Sequence, residues 1–219
     1  DPVDLLILAQ PAAATVDAVS RLIAQGGGAR VVALVAGGIG DGADTEGLGT
    51  RLLSELQEAR EANRWTPALL GPNFLGHWAP MLDLDTSFIP IEKLAAPAQE
   101  GGPVALLSQS GAFLLSRRSQ IPHLPLGFAL ALGNQVDVAL PDVLEALEEH
   151  PEFQVLALYL EGFGSGQLAA TAHIGHRLAE SGRTLLLYRG GRTQAGQAAA
   201  ASHTGVMAGN RVLEEALLR

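Results

Sequence analysis

The chain of 219 residues contains no cysteine. That excludes disulfides, thiolate metal sites and a cysteine nucleophile. Lysine is nearly absent: of 14 basic residues only Lys93 is a lysine, and the formal net charge is −9. No basic stripe with interleaved aromatics exists, so nucleic acid is not an expected partner. Aromatic residues make up only 5%. No apolar run approaches the length that spans a bilayer, and no signal-type segment opens the chain. These absences together point to the cytoplasm.

What remains is apolar and small. Hydrophobic residues make up 47% and mean hydropathy is +0.22, so the chain can bury a sizeable core and is not disordered. Strand-like and helix-like segments alternate. Val3 to Leu8 is an apolar run, followed by a helical face of Val16, Val19, Leu22 and Ile23 that Gly26-Gly27-Gly28 stops. Val31 to Val35 reads as a strand, Leu48 to Ala59 as an amphipathic helix, and Ala68-Leu69-Leu70 as a short strand. Residues 77–102 have little periodicity and read as a crossover, with a domain joint at 90–102. The second half predicts strands at 103–107, 127–132, 154–160 and 184–188, and helices at 111–118, 141–150, 167–180 and 210–218. Near-continuous apolar strands separated by helices predict an α/β fold of parallel sheets covered on both faces.

Several of these strands end in small or polar groups: Gln10-Pro11, Gly37-Gly38, Gly71-Pro72-Asn73, Ser108-Gln109-Ser110-Gly111, Gly133-Asn134 and Glu161-Gly162. In open α/β sheets ligands bind at such carboxyl ends, although each glycine alone is also ordinary turn chemistry. Ser108 to Gly111 lies between an apolar run and a helical segment. Free N–H groups at a helix start bind phosphate, while the plainer reading is a serine N-cap. Near the C-terminus, His203 stands among Ala, Ser, Thr and Gly. Small neighbours let a ligand come close, and imidazole is readily a nucleophile or base near neutral pH. The remaining histidines share no persuasive ligand spacing; His173 and His176 are three apart on a predicted helix and read as surface residues. Glu145, Glu148 and Glu149 read as a solvated helix face, and Arg189 and Arg192 as surface residues or phosphate contacts.

Taken in order, Gly71-Pro72-Asn73-Phe74-Leu75-Gly76, Ser108-Gln109-Ser110-Gly111-Ala112, Gly133-Asn134-Gln135-Val136-Asp137-Val138, Tyr159-Leu160-Glu161-Gly162 and Ser202-His203-Thr204-Gly205 resemble the α-subunit part of the nucleoside-diphosphate-forming acyl-CoA synthetases, relatives of the succinyl-CoA synthetase α subunit. The resemblance covers roughly residues 1–210. It implies a Rossmann-like CoA-binding domain at 1–92, lacking its first strand and Gly-rich turn, and a flavodoxin-like succinyl-CoA-ligase domain at 100–219. It implies acyl-CoA and phosphate as substrates, an acyl phosphate, a phosphohistidine, and Mg-ADP/ATP or GDP/GTP on an ATP-grasp (β-type) partner. By position His203 matches the phosphorylated histidine and Glu161 the acid that orients it. Ser108, Gln109, Ser110 and Gly111 match the phosphate-binding turn. Gln10, Pro11, Gly71, Pro72 and Asn73 match positions beside coenzyme A, and no metal ligand is implied. Phe74 departs from the smaller residue of many relatives, so a different acyl pocket is expected. A non-catalytic CoA- or acyl-CoA-binding regulatory module of the same fold is the alternative.

Overall fold

The structure is a computed structural model that describes residues 2–90 and 101–190. They fall into two compact units: the first holds residues 2–74 and 133–138, the second residues 75–90, 101–132 and 139–190.

In the first unit three parallel strands, β1 (Val3–Leu8), β2 (Ala29–Leu34) and β3 (Ala68–Leu70), lie in the order β1-β2-β3. Helix α1 (Ala12–Gln25) joins the first two and α2 (Leu48–Glu61) the last two. Val16, Val19 and Ile23 of α1 recur at helical spacing and meet Leu52, Leu56 and Ala59 of α2 in one buried cluster with Val32, Leu34 and Leu69. Each such large aliphatic side chain contributes about 1.5–3 kcal/mol on burial, which outweighs the glycine-rich loops' own lack of regular structure. Helix α1 stops at Gly26, whose N–H reaches the Ile23 carbonyl, as the glycine run predicts.

Helix α2 begins at Gly47, which offers no side-chain cap. Asp44 supplies one from upstream. Its carboxylate accepts the N–H groups of Leu48 (2.8 Å), Gly49 (2.7 Å) and Gly40 (2.9 Å). An anion at a helix N-terminus is stabilised by the unpaired N–H groups and the helix dipole. The Asp44 carboxyl is accordingly held below its usual range, chiefly by the Gly49 and Gly40 N–H groups, against a smaller opposing effect of burial.

Residues 133–138 return to this unit from far along the chain. The N–H groups of Asn134, Val136 and Val138 donate to the carbonyls of Pro72, Gly71 and Leu69. Asp137 is the anchor: it binds the Arg60 guanidinium through both oxygens (2.8 and 3.0 Å) and accepts the Leu69 N–H (2.9 Å). Gly133 has φ +63°, and a Cβ there would sit 2.2 Å from the Pro72 carbonyl oxygen, so only glycine lets the segment come this close.

The second unit is a six-stranded sheet in the order β5-β4-β7-β6-β8-β9, with β4 (His77–Ala79), β5 (Leu84–Asp85), β6 (Val104–Ser108), β7 (Leu126–Ala131), β8 (Val155–Leu160) and β9 (Thr184–Arg189). Strands β7, β6, β8 and β9 are parallel. Strand β6 is buried throughout, as its unbroken apolar run predicts. Helix α3 (Gly111–Gln120) follows β6, α4 (Leu140–Glu148) precedes β8, and α5 (Gln167–Glu180) precedes β9. Arg183 fastens the end of α4 by donating to the carbonyls of Leu147 and Glu148.

Residues 77–85 depart from the structureless crossover expected there. Strand β4 pairs antiparallel with β7 and with β5. The buried Arg118 of α3 forms an ion pair with Asp85 (2.9 Å) and lies over the Trp78 ring at 4.8 Å. Burial raises the Asp85 carboxyl, but hydrogen bonds from Ser87 and Arg118 outweigh it and hold the group low. By contacts the second unit therefore starts at Leu75, ahead of the 90–102 joint that the prolines suggested. Strands of two and three residues carry no readable period.

The capping role of Asp44 sets a pH dependence. Replacing Asp44 with Ala is expected to cost about 1 kcal/mol at neutral pH, the usual worth of an N-terminal cap. Because the folded-state group titrates lower than an unfolded aspartate near 3.9, its contribution is complete above about pH 5 and fades as pH falls through the folded value. Urea unfolding of wild type and Asp44→Ala at pH 7 and at pH 3 checks this; a gap that stays constant contradicts it.

Candidate functional site

The carboxyl end of the second unit's sheet brings together the turn after β6 and the turn after β8. Ser108, the last residue of β6, is the register partner of Tyr159, one residue before β8 ends. The Gln109 N–H adds one more bond, to the Tyr159 carbonyl at 3.0 Å. Beyond it the backbones separate and the Gln109 side chain continues the pairing. Its Oε1 accepts the N–H groups of Glu161 (2.5 Å) and Gly162 (3.0 Å), and its Nε2 donates to the Gly162 carbonyl (2.8 Å). Gln109 is 5% exposed.

The rest of the turn forms a helix start. The buried Ser108 hydroxyl donates to the Ser110 carbonyl at 2.7 Å, closing the turn. Ser110 is the N-cap of α3: its backbone is extended and its Oγ accepts the Phe113 N–H at 3.3 Å. The N–H groups of Gly111 and Ala112 have no partner among the described residues. Two open donors at the positive end of a ten-residue helix make a seat for an anion. Gly111 keeps the turn close to Leu75, since a Cβ would stand 2.7 Å from the Leu75 Cβ.

One face of this end is aromatic. Phe113 of α3 stacks on Tyr159 with ring centroids 3.9 Å apart, and Tyr159 stacks on Tyr188 of β9 at 5.7 Å. Arg117 lies over the Phe113 ring at 5.1 Å. Burial first, then the nearby Glu161 carboxylate and Tyr188, raise the Tyr159 phenol above its usual range, so it stays neutral at physiological pH. The sequence offered no spacing that joins Phe113, Tyr159 and Tyr188, because three separate elements contribute them.

The first unit presents its own strand ends. Pro11 opens α1, and Gln10 folds back onto that helix, its Nε2 donating to the Ala14 carbonyl at 3.0 Å. A cleft of about 290 Å³ is lined by Pro11, Ala12, Ala13, Gly38, Ala43, Asp44, Thr45, Glu46 and Leu48. Its lining contains two carboxylates and no cation. Gly71 and Pro72 are buried and joined by a cis peptide bond; Asn73 is exposed, with its N–H on the Ala36 carbonyl. Asn134, 9% exposed, donates through Nδ2 to the Ile39 carbonyl (3.3 Å) and to Asp41 (3.0 Å). This fixes the amide orientation, and it leaves the Asn134 Oδ1 buried with no partner among the described residues.

Thus Ser108, Gln109, Ser110, Gly111 and Glu161 are assembled at one strand edge, and Gln10, Pro11, Gly71, Pro72 and Asn73 lie at strand ends of the other unit. His203, Arg192 and the helix expected at 210–218 lie outside the described residues. His123, His150, His173 and His176 are exposed. No group of metal-ligating side chains occurs among the described residues, and no helix among them is long and apolar enough to cross a membrane.

Comparison with known proteins gives concordant matches. The profile of the succinyl-CoA ligase-like flavodoxin domain covers residues 101–219. The chain is 31% identical over 162 residues to the ADP-forming 4-hydroxybutyrate–CoA ligase of Nitrosopumilus maritimus, covering 72% of this chain and 22% of that protein. It is 27% identical over 214 residues to the α subunit of ADP-forming acetate–CoA ligase I of Pyrococcus furiosus, covering 96% of this chain and 42% of that subunit. Among solved structures it resembles the dinucleotide-forming acetyl-coenzyme A synthetase 1 of Ca. Korarchaeum cryptofilum, in complex with phosphate and ADP. The TM-score is 0.81 at 25% identity, over 99% of this chain and 44% of that one. The chain thus spans between about a fifth and less than half of these relatives.

The close approach at Gly111 is testable. Gly111→Ala is expected to destabilise the protein by about 1–3 kcal/mol through overpacking, and Leu75→Gly in the same chain, which removes the Leu75 Cβ, to relieve part of that cost. Thermal unfolding of the single and double variants measures it; a Gly111→Ala protein as stable as wild type contradicts the packing.

Proposed function

The chain belongs to the succinyl-CoA ligase-like flavodoxin family, and from that premise we propose that it is the α-type part of a nucleoside-diphosphate-forming acyl-CoA synthetase. The reaction interconverts acyl-CoA, phosphate and ADP or GDP with the acid, CoA and ATP or GTP. The observation that carries this reading is the joining of an open helix start, at Ser110-Gly111, to Glu161 through the Gln109 side chain. The ADP-forming character of the similar ligases supports ADP as the nucleotide.

In the first step a phosphate oxygen attacks the thioester carbonyl, and the CoA thiolate leaves, giving an acyl phosphate. An imidazole nitrogen of His203 then attacks phosphorus and the carboxylate leaves. Phosphoryl transfer depends chiefly on position and charge stabilisation. The Gly111 and Ala112 N–H groups and the α3 dipole offset charge on the phosphoryl oxygens. The Glu161 carboxylate holds the other nitrogen of His203, which selects the tautomer and stabilises the charge that develops on the ring. The phosphohistidine passes its phosphoryl group to the nucleotide on an ATP-grasp partner, a β-type subunit or a further domain.

The first unit takes coenzyme A, with Gln10, Pro11, Gly71, Pro72 and Asn73 beside it. Two of its features fit the uncharged parts of that substrate. The cleft at Pro11 has carboxylates that accept hydroxyl protons but repel phosphate. The Asn134 Oδ1, without a partner among the described residues, is an acceptor of the kind an amide N–H of pantetheine satisfies.

Incubation of the partner-bound protein with acyl-CoA and radiolabelled phosphate tests the reading. Acid-labile, base-stable label is expected on wild type and absent from His203→Ala, while Glu161→Gln labels slowly because losing an orienting group leaves residual activity. Label that persists in His203→Ala removes the assignment. Wild type that binds CoA but never labels favours the CoA-sensing module instead.

A further inference from the structure

We infer that Gln109 is a positioning residue for Glu161 and does not itself bind the phosphoryl group. This rests on the function proposed above, in which Glu161 orients the phosphorylated histidine. Three facts lead to it. Both polar atoms of the Gln109 amide are engaged inside the protein, with Oε1 on two N–H groups and Nε2 on one carbonyl. The side chain is 5% exposed. And all its side-chain partners belong to Glu161 and Gly162, 52 and 53 positions away.

The geometry is that of a strand continued by a side chain. The ladder between β6 and β8 stops at Ser108 and Tyr159, two residues short of Glu161. On the β6 side it is the Gln109 amide that pairs the Glu161 and Gly162 N–H groups. The Gln109 amide supplies the donor and acceptor pattern of a peptide unit and holds the Glu161 and Gly162 N–H groups to the turn that opens α3. The anion seat and the orienting carboxylate then move as one body. Preorganisation of this kind acts on the rate of transfer and not on the affinity for phosphate.

A methionine at this position keeps the length and bulk and removes the hydrogen bonds. Two measurements on Gln109→Met decide the matter. The first is amide hydrogen exchange in the full chain. Exchange at Glu161 and Gly162 is expected to rise by about tenfold or more, while Leu106 and Leu158 in the strand interiors are unchanged. Unchanged exchange at Glu161 and Gly162 overturns the clamp whatever the protein's activity. A rise that includes Leu106 and Leu158 also overturns it, in favour of general loosening.

The second is histidine labelling with acetyl-CoA and radiolabelled phosphate in the partner-bound protein. Gln109→Met is expected to slow labelling at saturating phosphate by about tenfold, with the half-saturating phosphate concentration within about twofold of wild type. In a cycle with Glu161→Gln, the double variant is expected to be within about threefold of Glu161→Gln alone, because the clamp acts only through that carboxylate. A raised half-saturating phosphate concentration at an unchanged maximal rate makes Gln109 a phosphate ligand and overturns the inference. Full additivity in the cycle overturns it too. If Glu161→Gln labels as fast as wild type, the proposed role of Glu161 fails, and the positioning inference falls with it even where exchange shows the clamp itself intact.

Discussion

The side-chain amide of Gln109 bridges the gap where two neighbouring strands part. A parallel sheet leaves a fork at each strand's carboxyl end, since one chain turns into a helix and the other into a loop. That fork is useful because ligands enter it, and weak because its backbone groups lose their partners. In the second unit Gln109 satisfies Glu161 and Gly162 across the fork, while the Ser108 hydroxyl closes the turn from the other side. The N–H groups of Gly111 and Ala112 have no partner among the described residues. Gln109 and Ser108 thus bond the framework of the fork, and the open donors stand at the start of α3.

The first unit meets the same problem with carboxylates. Asp44 caps α2 from upstream and leaves no vacancy for phosphate at that helix start. Asp41 accepts the Gly38 N–H and one proton of the Asn134 amide. Residues 37–42 hold four glycines and bury Ile39, and these two acids bind the loop's N–H groups. Asp44 and Glu46 line the adjoining cleft.

Most of the parallel architecture was legible in the chain. Apolar runs located β1, β3, β6, β8 and β9 to within a residue or two, and Val16, Val19 and Ile23 fixed the buried face of α1. The turn at Ser108 and the acid at Glu161 stood out because they end such runs. Strands β4 and β5 were not legible, because strands this short show no alternation. Nor was the return of residues 133–138 to the first unit, which depends on Asp137 meeting Arg60, 77 positions away. The bonding of Gln109 was hidden for the same reason: its residue type fits phosphate binding as well as backbone bridging, and its bonds to Glu161 and Gly162 become visible only in the fold.

The central claim is that the start of α3, together with the strand end at Glu161, forms the phosphate seat. An amide NMR titration of the full chain with inorganic phosphate tests this most directly. The account predicts saturable shifts centred on Gly111 and Ala112, with a smaller response at Glu161 and Gly162 transmitted through Gln109. Shifts centred on Ala12 and Ala13 at the start of α1, or no saturable shift at Gly111 and Ala112, would contradict it.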